Sequence, residues 1–314
     1  MSKKTVKTTP KPNAPAEQGK SMLPISRFHS PYGPWQAAFA MDALRRAWTA
    51  VRANKGAKGS DGETVAQFEE QLEQNLYALH VELVNQQYQP RPVKQLLVPK
   101  KDERWRTLTI WAIRDRIVQR AVYNYLEPIF DRQFLPCSFG FRNGRSTKDA
   151  AEAILMARAA GAYWVLDADI EDCFGQMENG RLLRQLAQWR VPGPLRQLIK
   201  LWLNTRIGNA WRPDQTTTGT SQGSVISPLL CNLYLHPFDR AMQKPGISLI
   251  RYADDFVILS RHKAVIHSAE QWAGLNLRRL GLTMHTHKTR ITNFNEGFQF
   301  VGWFFIRDEM HQLK

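Results

Sequence analysis

The sequence predicts an α+β fold, and three observations support that class. Apolar residues recur at helical spacing over 44–51 and again over 65–83. Short apolar runs with the composition of strands occur later in the chain, for example at 247–252 and 256–260. With 314 residues, of which 43% are hydrophobic, the chain can build a sizeable core in about two domains or lobes.

The charge balance favours a polyanionic partner. The chain carries 43 Lys and Arg against 28 Asp and Glu, a formal net charge of +15. Such a surplus attracts nucleic acid, although a protein bound to a membrane surface would carry the same total. No stretch reaches the roughly 18 apolar residues of a membrane span, and the N-terminus lacks the apolar stretch of a secretory signal. Three cysteines, too few for a disulfide framework and without zinc spacing, favour a cytoplasmic protein that acts away from membranes.

The first half of the chain is predicted to contain a tail, helices and one hairpin. Residues 1–22 hold five lysines and three prolines but almost no large apolar side chain, which predicts a disordered basic tail. Both a solvated tail and an arm lying on nucleic-acid phosphates fit this composition. After the two helical stripes, residues 93–110 predict a β-hairpin with a basic tip, and residues 113–125 a helix with one apolar face.

The second half is predicted to alternate strands and helices around three aspartates. The apolar run 163–170 predicts a buried strand that carries Asp169 near its end. Ser227 and Pro228 predict a helix start, with the serine as N-cap. The two runs 247–252 and 256–260 predict a tight hairpin with Asp254 and Asp255 at its tip, and a helix over 264–279 and a strand over 298–303 follow.

The negative charges of the adjacent Asp254 and Asp255 carboxylates need a positive charge to compensate them. In a segment that is otherwise apolar, each unpaired carboxylate would cost several kcal/mol. Together with Asp169 they would offer hard oxygen ligands from two neighbouring strands, which suits Mg²⁺. Two such ions about 3.5 to 4 Å apart could drive a phosphoryl transfer. A lone pair of aspartates can also simply form a polar hairpin turn.

The order of the motifs carries a family resemblance. Four motifs resemble those of reverse transcriptases: Asp169 with an aromatic residue five positions later, Gln222-Gly-Ser-Val-Ile-Ser-Pro228, Tyr252-Ala-Asp-Asp255, and Gly281-Leu-Thr followed by Lys288-Thr-Arg-Ile291. Others are similar to the version found in group II introns and their stand-alone relatives: Val98-Pro-Lys-Lys, Arg106, Asp115-Arg-Ile-Val-Gln119, Leu126-Glu-Pro-Ile-Phe130, Ser138-Phe-Gly-Phe-Arg-Asn-Gly-Arg-Ser146 and Phe300-Val-Gly-Trp303. The resemblance covers residues 60 to 305, approximately.

The resemblance implies a metal-dependent nucleotidyltransferase. Asp169, Asp254 and Asp255 would be the catalytic metal-binding carboxylates, with the backbone carbonyl of Ile170 as a further ligand. The cofactor would be two Mg²⁺ ions, for which Mn²⁺ could substitute. Lys288 would approach the leaving pyrophosphate as a general acid; a salt-bridged lysine at a helix end is the alternative.

The resemblance also assigns residues to the incoming nucleotide. Lys100 and Arg106 would bind its triphosphate, since a point charge and a guanidinium fork together orient phosphates. Phe174 would pack under the sugar and leave no room for a 2′-hydroxyl, which favours deoxynucleotides; a core aromatic is the alternative. Gln222 and Gly223 would let the templating base and the new nucleotide sit close to the backbone.

Three more residues are expected to touch the primer or the template. Arg142 and Arg145 would face the template or the nucleotide, and Tyr252 would contact the primer terminus. Ordinary surface charge and a core aromatic are the respective alternatives. The chain departs from the family at Gly175, where Asp is usual, and at Trp111, where Pro is common; neither residue is a metal ligand.

The implied architecture is a right hand of fingers and a ferredoxin-like palm with an antiparallel sheet. We expect fingers over 23–120 with a return near 175–215, a palm over 121–306 and a short C-terminal tail over 307–314. Eleven residues follow Trp303, where the group II proteins carry a helical thumb. The thumb is therefore expected to be absent, or supplied by a protein partner, an oligomer or a bound RNA; a weak grip on the duplex and a truncated chain remain alternatives.

The resemblance implies an RNA-directed DNA polymerase that binds an RNA template, a DNA or RNA primer and dNTPs. Stand-alone relatives of this type are associated with CRISPR adaptation or antiphage defence, sometimes with a dedicated structured RNA, so we expect an antiviral defence role. The alternatives are a non-catalytic RNA-binding scaffold and protein-primed or untemplated DNA synthesis.

Overall fold

Residues 35–54, 56–99, 105–205, 207–208 and 223–313 are described by a computed structural model. They all belong to one compact unit. For Arg106 only the backbone is described. The predicted basic tail, Lys100 and Gln222 lie outside the described residues.

The first layer is helical, as the apolar spacing predicts. Thr64 caps the second α-helix of this layer with a capping box. The backbone N–H of Gln67 donates to the Thr64 hydroxyl, and the backbone N–H of Thr64 donates to the Gln67 side chain. Trp48 stacks on Phe68 with ring centroids 5.2 Å apart, which joins the first two helices. The layer comprises a 3₁₀ helix at Gln36–Phe39, α1 (Met41–Ala53), α2 (Val65–Glu70), α3 (Leu72–Val84) and α4 (Ile113–Asp131).

The predicted hairpin is confirmed between α3 and α4. Strands β1 (Lys94–Pro99) and β2 (Trp105–Ile110) pair antiparallel, from Lys94 opposite Ile110 to Pro99 opposite Trp105. Trp111, which directly follows β2, is only 1% exposed and packs in the main apolar core. This packing accounts for a large aromatic at the position where the family commonly has proline.

A four-stranded antiparallel sheet forms the second layer. Its strands are β3 (Trp164–Asp169), β4 (Ser248–Tyr252), β5 (Asp255–Ser260) and β6 (Arg290–Asn293), in the spatial order β4-β5-β3-β6. Alternate side chains enter two different cores: Leu166 lies in one, while Val165 lies in the other. The sheet is therefore buried on both faces, which explains the nearly continuous apolar runs in its sequence.

Helices cover the two faces of this sheet. Helices α9 (Ser227–Ala241) and α10 (Lys263–Arg279) contribute to the main core, which contains Leu166. Helix α5 (Thr147–Ala159) contributes to the second core, which contains Val165. Helix α9 begins at Ser227 with Ile226 as N-cap, so the predicted serine cap is wrong by one position. The helices after α4 are α5 (Thr147–Ala159), α6 (Cys173–Gln176), α7 (Asn179–Gln188), α8 (Gly193–Leu203), α9 (Ser227–Ala241) and α10 (Lys263–Arg279).

A small three-stranded sheet ends the described chain. It consists of β7 (Phe298–Phe300), β8 (Trp303–Ile306) and β9 (Glu309–Gln312). Val301 and Gly302 both have positive φ, as the two-residue turn between β7 and β8 requires. The strand predicted over 298–303 is thus two strands and their turn, and the expected tail over 307–314 contains β9.

The buried guanidinium of Arg251 in β4 connects the four-stranded sheet to α9 and to the loop before α5. Its Nε and Nη2 bond the two carboxylate oxygens of Asp239 on α9 at 2.7 and 2.6 Å. Its remaining donors reach Asn232 Oδ1 at 3.0 Å, Ala253 O at 2.7 Å and Ser138 Oγ at 2.8 Å. Every N–H of the group is used, so this fully buried cation is compensated.

We expect Asp239→Asn to lower the free energy of unfolding by about 3–5 kcal/mol, because it leaves the buried charge of Arg251 uncompensated. Urea unfolding followed by circular dichroism measures the change. The exposed pair of Arg45 with Glu73 provides the control, and Glu73→Gln should have a much smaller effect. Equal effects of the two substitutions would contradict the prediction.

Candidate active site

The turn between β4 and β5 carries two of the predicted carboxylates. Tyr252 lies opposite Asp255, so Ala253 and Asp254 form a two-residue loop. Ala253 has φ of +60°, a left-handed conformation that glycine usually occupies in such turns. Arg251 holds the carbonyl of Ala253, and the backbone of Gly140 packs so closely that a Cβ there would lie 2.3 Å from Ala253 N. The turn is therefore fixed from two sides.

The third carboxylate lies on the neighbouring strand. Asp169, the last residue of β3, is directly opposite Asp255 in the register of β3 and β5. Ile170, which follows it, donates its backbone N–H to the carbonyl oxygen of Asp254 at 3.3 Å. The structure thus brings Asp169, Asp254 and Asp255 to the same end of the sheet, as the sequence analysis expects.

Negative charge accumulates at this end of the sheet. Desolvation by the surrounding protein and the nearby charges of Asp169 and Asp254 raise the pKa of Asp255 to about 7, although the residue as a whole is exposed. Burial also raises the pKa of Asp254, and the charge of Asp169 adds to the effect. Lys288 Nζ lies 2.5 Å from Asp169 Oδ2, so this ammonium group pairs directly with one of the three carboxylates.

The donor set fits a divalent cation. Carboxylates that repel one another and offer hard oxygen atoms are stabilised when such an ion binds. Within the described ranges, no group of three or more His, Cys, Asp or Glu side chains forms a ready-made metal centre. This is compatible with Mg²⁺, which retains water and substrate phosphate ligands and seldom needs a cage built wholly from protein.

Phe174 lies on the short helix α6, five residues after Asp169. It packs partly against the main core, and its ring meets that of Phe141 edge to face with centroids 6.3 Å apart. Asp172, just before the helix, has φ of +38°. A Cβ at Gly175 would lie 2.0 Å from the carboxylate of Asp172, which explains why glycine stands where the family usually has aspartate.

The loop before α9 is fixed by β2 and α4. Gly223 has φ of +109°, and a Cβ there would lie 2.3 Å from the carbonyl oxygen of Thr109. The buried Gln119 of α4 accepts hydrogen bonds from Ser224 Oγ at 3.0 Å and from Val225 N at 2.9 Å. In the sequence Gln119 stands out only as part of a motif, and this contact cannot be predicted from it because the two segments are far apart in the chain.

The residues expected to contact primer and template have different environments. Arg142 is 8% exposed and donates to Asp131 Oδ1 and to the carbonyls of Asp131, Leu135 and Ser138. These bonds engage its guanidinium within the fold, and a contact of Arg142 with the template or the nucleotide stays a prediction. Arg145 is less buried, with its guanidinium over the ring of Phe139, and Tyr252 ends β4 half-buried beside the second core.

Comparison with known proteins agrees with this geometry. Residues 98–305 match the family described as Reverse transcriptase (RNA-dependent DNA polymerase). The chain belongs to the reverse transcriptase family. The resemblance and the right-hand fold of fingers and palm predicted from the sequence are thereby confirmed, as is the enzyme class of RNA-directed DNA polymerases.

Two curated proteins and one solved structure are similar to this chain. The chain is 31% identical to Protein YkfC of Escherichia coli over 81% of this chain and 77% of that protein. It is 32% identical to the Group II intron-encoded protein LtrA of Lactococcus lactis over 62% of this chain, but only 32% of that protein is covered. A solved telomerase structure from Candida tropicalis shares the fold, with a TM-score of 0.55 and 12% identity over 80% of this chain and 49% of that one.

In the part of this reverse transcriptase that the structure describes, no helix is both long and apolar enough to cross a membrane.

We expect Asp255→Asn to stabilise the protein in EDTA. A carboxyl whose pKa is raised on folding keeps a proton that the unfolded chain loses, so ionisation of Asp255 destabilises the fold increasingly as the pH rises from about 4 to about 7. The variant should therefore melt above the wild type at pH 8, and by a smaller margin at pH 5. Differential scanning fluorimetry measures both values. The exposed Glu171 supplies a control: Glu171→Gln should leave the melting temperature unchanged, and a lower value for Asp255→Asn at pH 8 would refute the prediction.

Proposed function

We propose that this chain polymerises DNA on an RNA template by adding deoxynucleotides to the 3′-hydroxyl of a DNA or RNA primer. The observation that carries the proposal is the convergence of Asp169, Asp254 and Asp255 at one end of the sheet, with raised pKa values for the last two. Family membership supports the same reaction.

The three carboxylates and the backbone carbonyl of Ile170 would hold two Mg²⁺ ions, with Mn²⁺ as a possible substitute. When bound, such ions activate the attacking hydroxyl and stabilise the leaving oxygen in phosphoryl transfer. The protein's own contribution is the rigidity of the scaffold. Arg251 and Gly140 fix the turn that carries Asp254, and strand pairing fixes Asp169 opposite Asp255.

Lys288 is proposed to deliver a proton to the leaving pyrophosphate. The contact of its ammonium group with Asp169 places a proton donor beside the carboxylates. The same contact keeps the lysine at the site before substrate binds. A general acid must lie within hydrogen-bonding reach of the group that it protonates, and this position supports that role.

The incoming nucleotide is proposed to lie between the hairpin and the carboxylates. In the sequence Lys100 comes directly after β1, and the backbone of Arg106 belongs to β2; the two cations would bind the triphosphate. Phe174 would wall the sugar. Gln222 and Gly223 would support the base pair, Tyr252 the primer terminus and Arg145 the template.

The layers of the fold support the proposed division into fingers and palm. The helical layer and the β1-β2 hairpin would form the fingers over 23–120, with a return near 175–215 that includes α7 and α8. The four-stranded sheet with α5, α9 and α10 would form the palm over 121–306.

A primer-extension assay with poly(rA) and an oligo(dT) primer tests the activity directly. Incorporation of dTTP that requires the template supports the proposal. RNA binding without incorporation would favour the non-catalytic scaffold. Sequencing of the product ends separates templated extension from protein-primed or untemplated synthesis.

The biological role that we propose is prokaryotic antiviral defence in the cytoplasm, antiphage or CRISPR-linked, with a dedicated structured noncoding RNA as template. The resemblance to stand-alone group II-like enzymes supports it. Sequencing the RNA that copurifies with the protein tests this role, and a random sample of cellular transcripts would count against a dedicated template.

We expect Asp254→Asn and Asp169→Asn to reduce primer extension by roughly 1,000-fold or more while the protein stays folded, because metal-assisted stabilisation of the transition state amounts to several kcal/mol. Steady-state incorporation on poly(rA) and oligo(dT) gives the rate, and circular dichroism gives the fold. Glu171→Gln, a charge-neutralising change two residues from Asp169, should keep the wild-type rate. Near-wild-type extension by either aspartate variant would refute the assignment.

We expect the wild type to prefer dATP over rATP on a poly(U) template, and Phe174→Ala to reduce that preference. An apolar wall makes a 2′-hydroxyl clash or remain unpaired, at a cost of about 1 to 3 kcal/mol. The preference should fall mainly because kcat/KM for rATP rises, while kcat/KM for dATP decreases modestly. An unchanged ratio of the two kcat/KM values would make Phe174 a core aromatic only.

A further inference from the structure

Phe141 combines two features that packing does not explain. Its φ is +60°, a left-handed conformation that is rare for a bulky residue. The side chain is also 40% exposed, so burial in the core does not offset the unfavourable backbone. A residue keeps such a conformation only where its surroundings impose it, and positions of this kind cluster at functional sites.

The two neighbours of Phe141 impose its conformation. Before it, the carbonyl of Gly140 accepts from Asn232 Nδ2 at 2.8 Å, and the glycine backbone packs against Ala253 in the carboxylate turn. After it, the buried side chain of Arg142 is held by Asp131 and by three backbone carbonyls. Phe141 is therefore anchored to the turn that carries Asp254.

The ring of Phe141 is directed to Phe174. The two planes meet at 68° with centroids 6.3 Å apart, a favourable edge-to-face contact. Phe174 is half-buried on the four-residue helix α6 and packs partly against the main core, and the contact with Phe141 supports its ring from a second direction. The strained loop thus places an apolar ring beside the aromatic residue that is proposed to sense the sugar.

We propose that Phe141 is a positioning residue for sugar selection: its ring braces Phe174, and the two rings form one apolar wall against the sugar of the incoming nucleotide. This inference rests on the proposed function. Without the brace, the Phe174 ring gains freedom to move aside, and a ribonucleotide is then excluded less strictly.

The test measures kcat/KM for dATP and for rATP on poly(U) with the full-length chain. Phe141→Ala should reduce the ratio of the two values by roughly 3- to 10-fold, in line with the size of one aromatic pair contact. Phe141→Leu, which keeps an apolar side chain, should give a smaller reduction. Tyr77→Ala is the control, since Tyr77 is an aromatic residue on α3 that is 61% exposed, and it should leave the ratio unchanged.

A double-mutant cycle separates bracing from an independent effect. If Phe141 acts through Phe174, adding Phe141→Ala to Phe174→Ala should not change the ratio further. Additive effects, or an unchanged ratio with Phe141→Ala while Phe174→Ala changes it, would overturn the inference alone. Loss of activity in Phe141→Ala and Phe141→Leu with an unchanged ratio would indicate a merely structural residue and would also overturn it. A wild type that incorporates no dATP would refute the proposed function and the inference with it.

Discussion

The ion pair between Arg251 and Asp239 is the interaction on which the geometry of the carboxylate end depends. A buried guanidinium is tolerated only when its donors are satisfied, and here five hydrogen bonds satisfy them. One of those bonds ends on Ala253, in the turn itself. The requirement to compensate a buried charge therefore also fixes the backbone beside Asp254, and this joins the stability of the core to the geometry of the site.

The same pair keeps the positive charge of Arg251 from neutralising the carboxylates of the site. Because Arg251 is bound to both carboxylate oxygens of Asp239, it makes no direct salt bridge to Asp254 or Asp255 in the part of the chain described. Lys288 is paired with Asp169, and the pKa of Asp255 stays at about 7. An end of the sheet that holds more negative than positive charge is suited to recruit a divalent cation together with the phosphates of a substrate.

The sequence allowed the strands, the hairpins and the convergence of the three aspartates to be predicted, because apolar runs and strand ends are local signals. It did not allow the partners of buried charges to be predicted. Arg142 was interpreted as a residue that faces the template or the nucleotide, and no partner was predicted for Arg251, since arginine is mostly exposed and a pattern does not show its acceptors. Those acceptors, Asp131 and Asp239, lie eleven and twelve residues away and meet the arginines only in the folded chain.

Backbone strain limits what local sequence signals predict in the loops beside the carboxylates. Ala253, Asp172 and Phe141 all have positive φ and lie in the loops around this end of the sheet. At Ala253 and Phe141 this conformation opposes the intrinsic preference of the residue, so propensity alone predicts something else at these two positions. Tertiary contacts impose the strained form instead, as Arg251 does at Ala253 and Gly140 does beside Phe141. At Phe141 the unfavourable backbone coincides with an exposed ring and with anchoring to the carboxylate turn, and this combination points to Phe141 as part of the site.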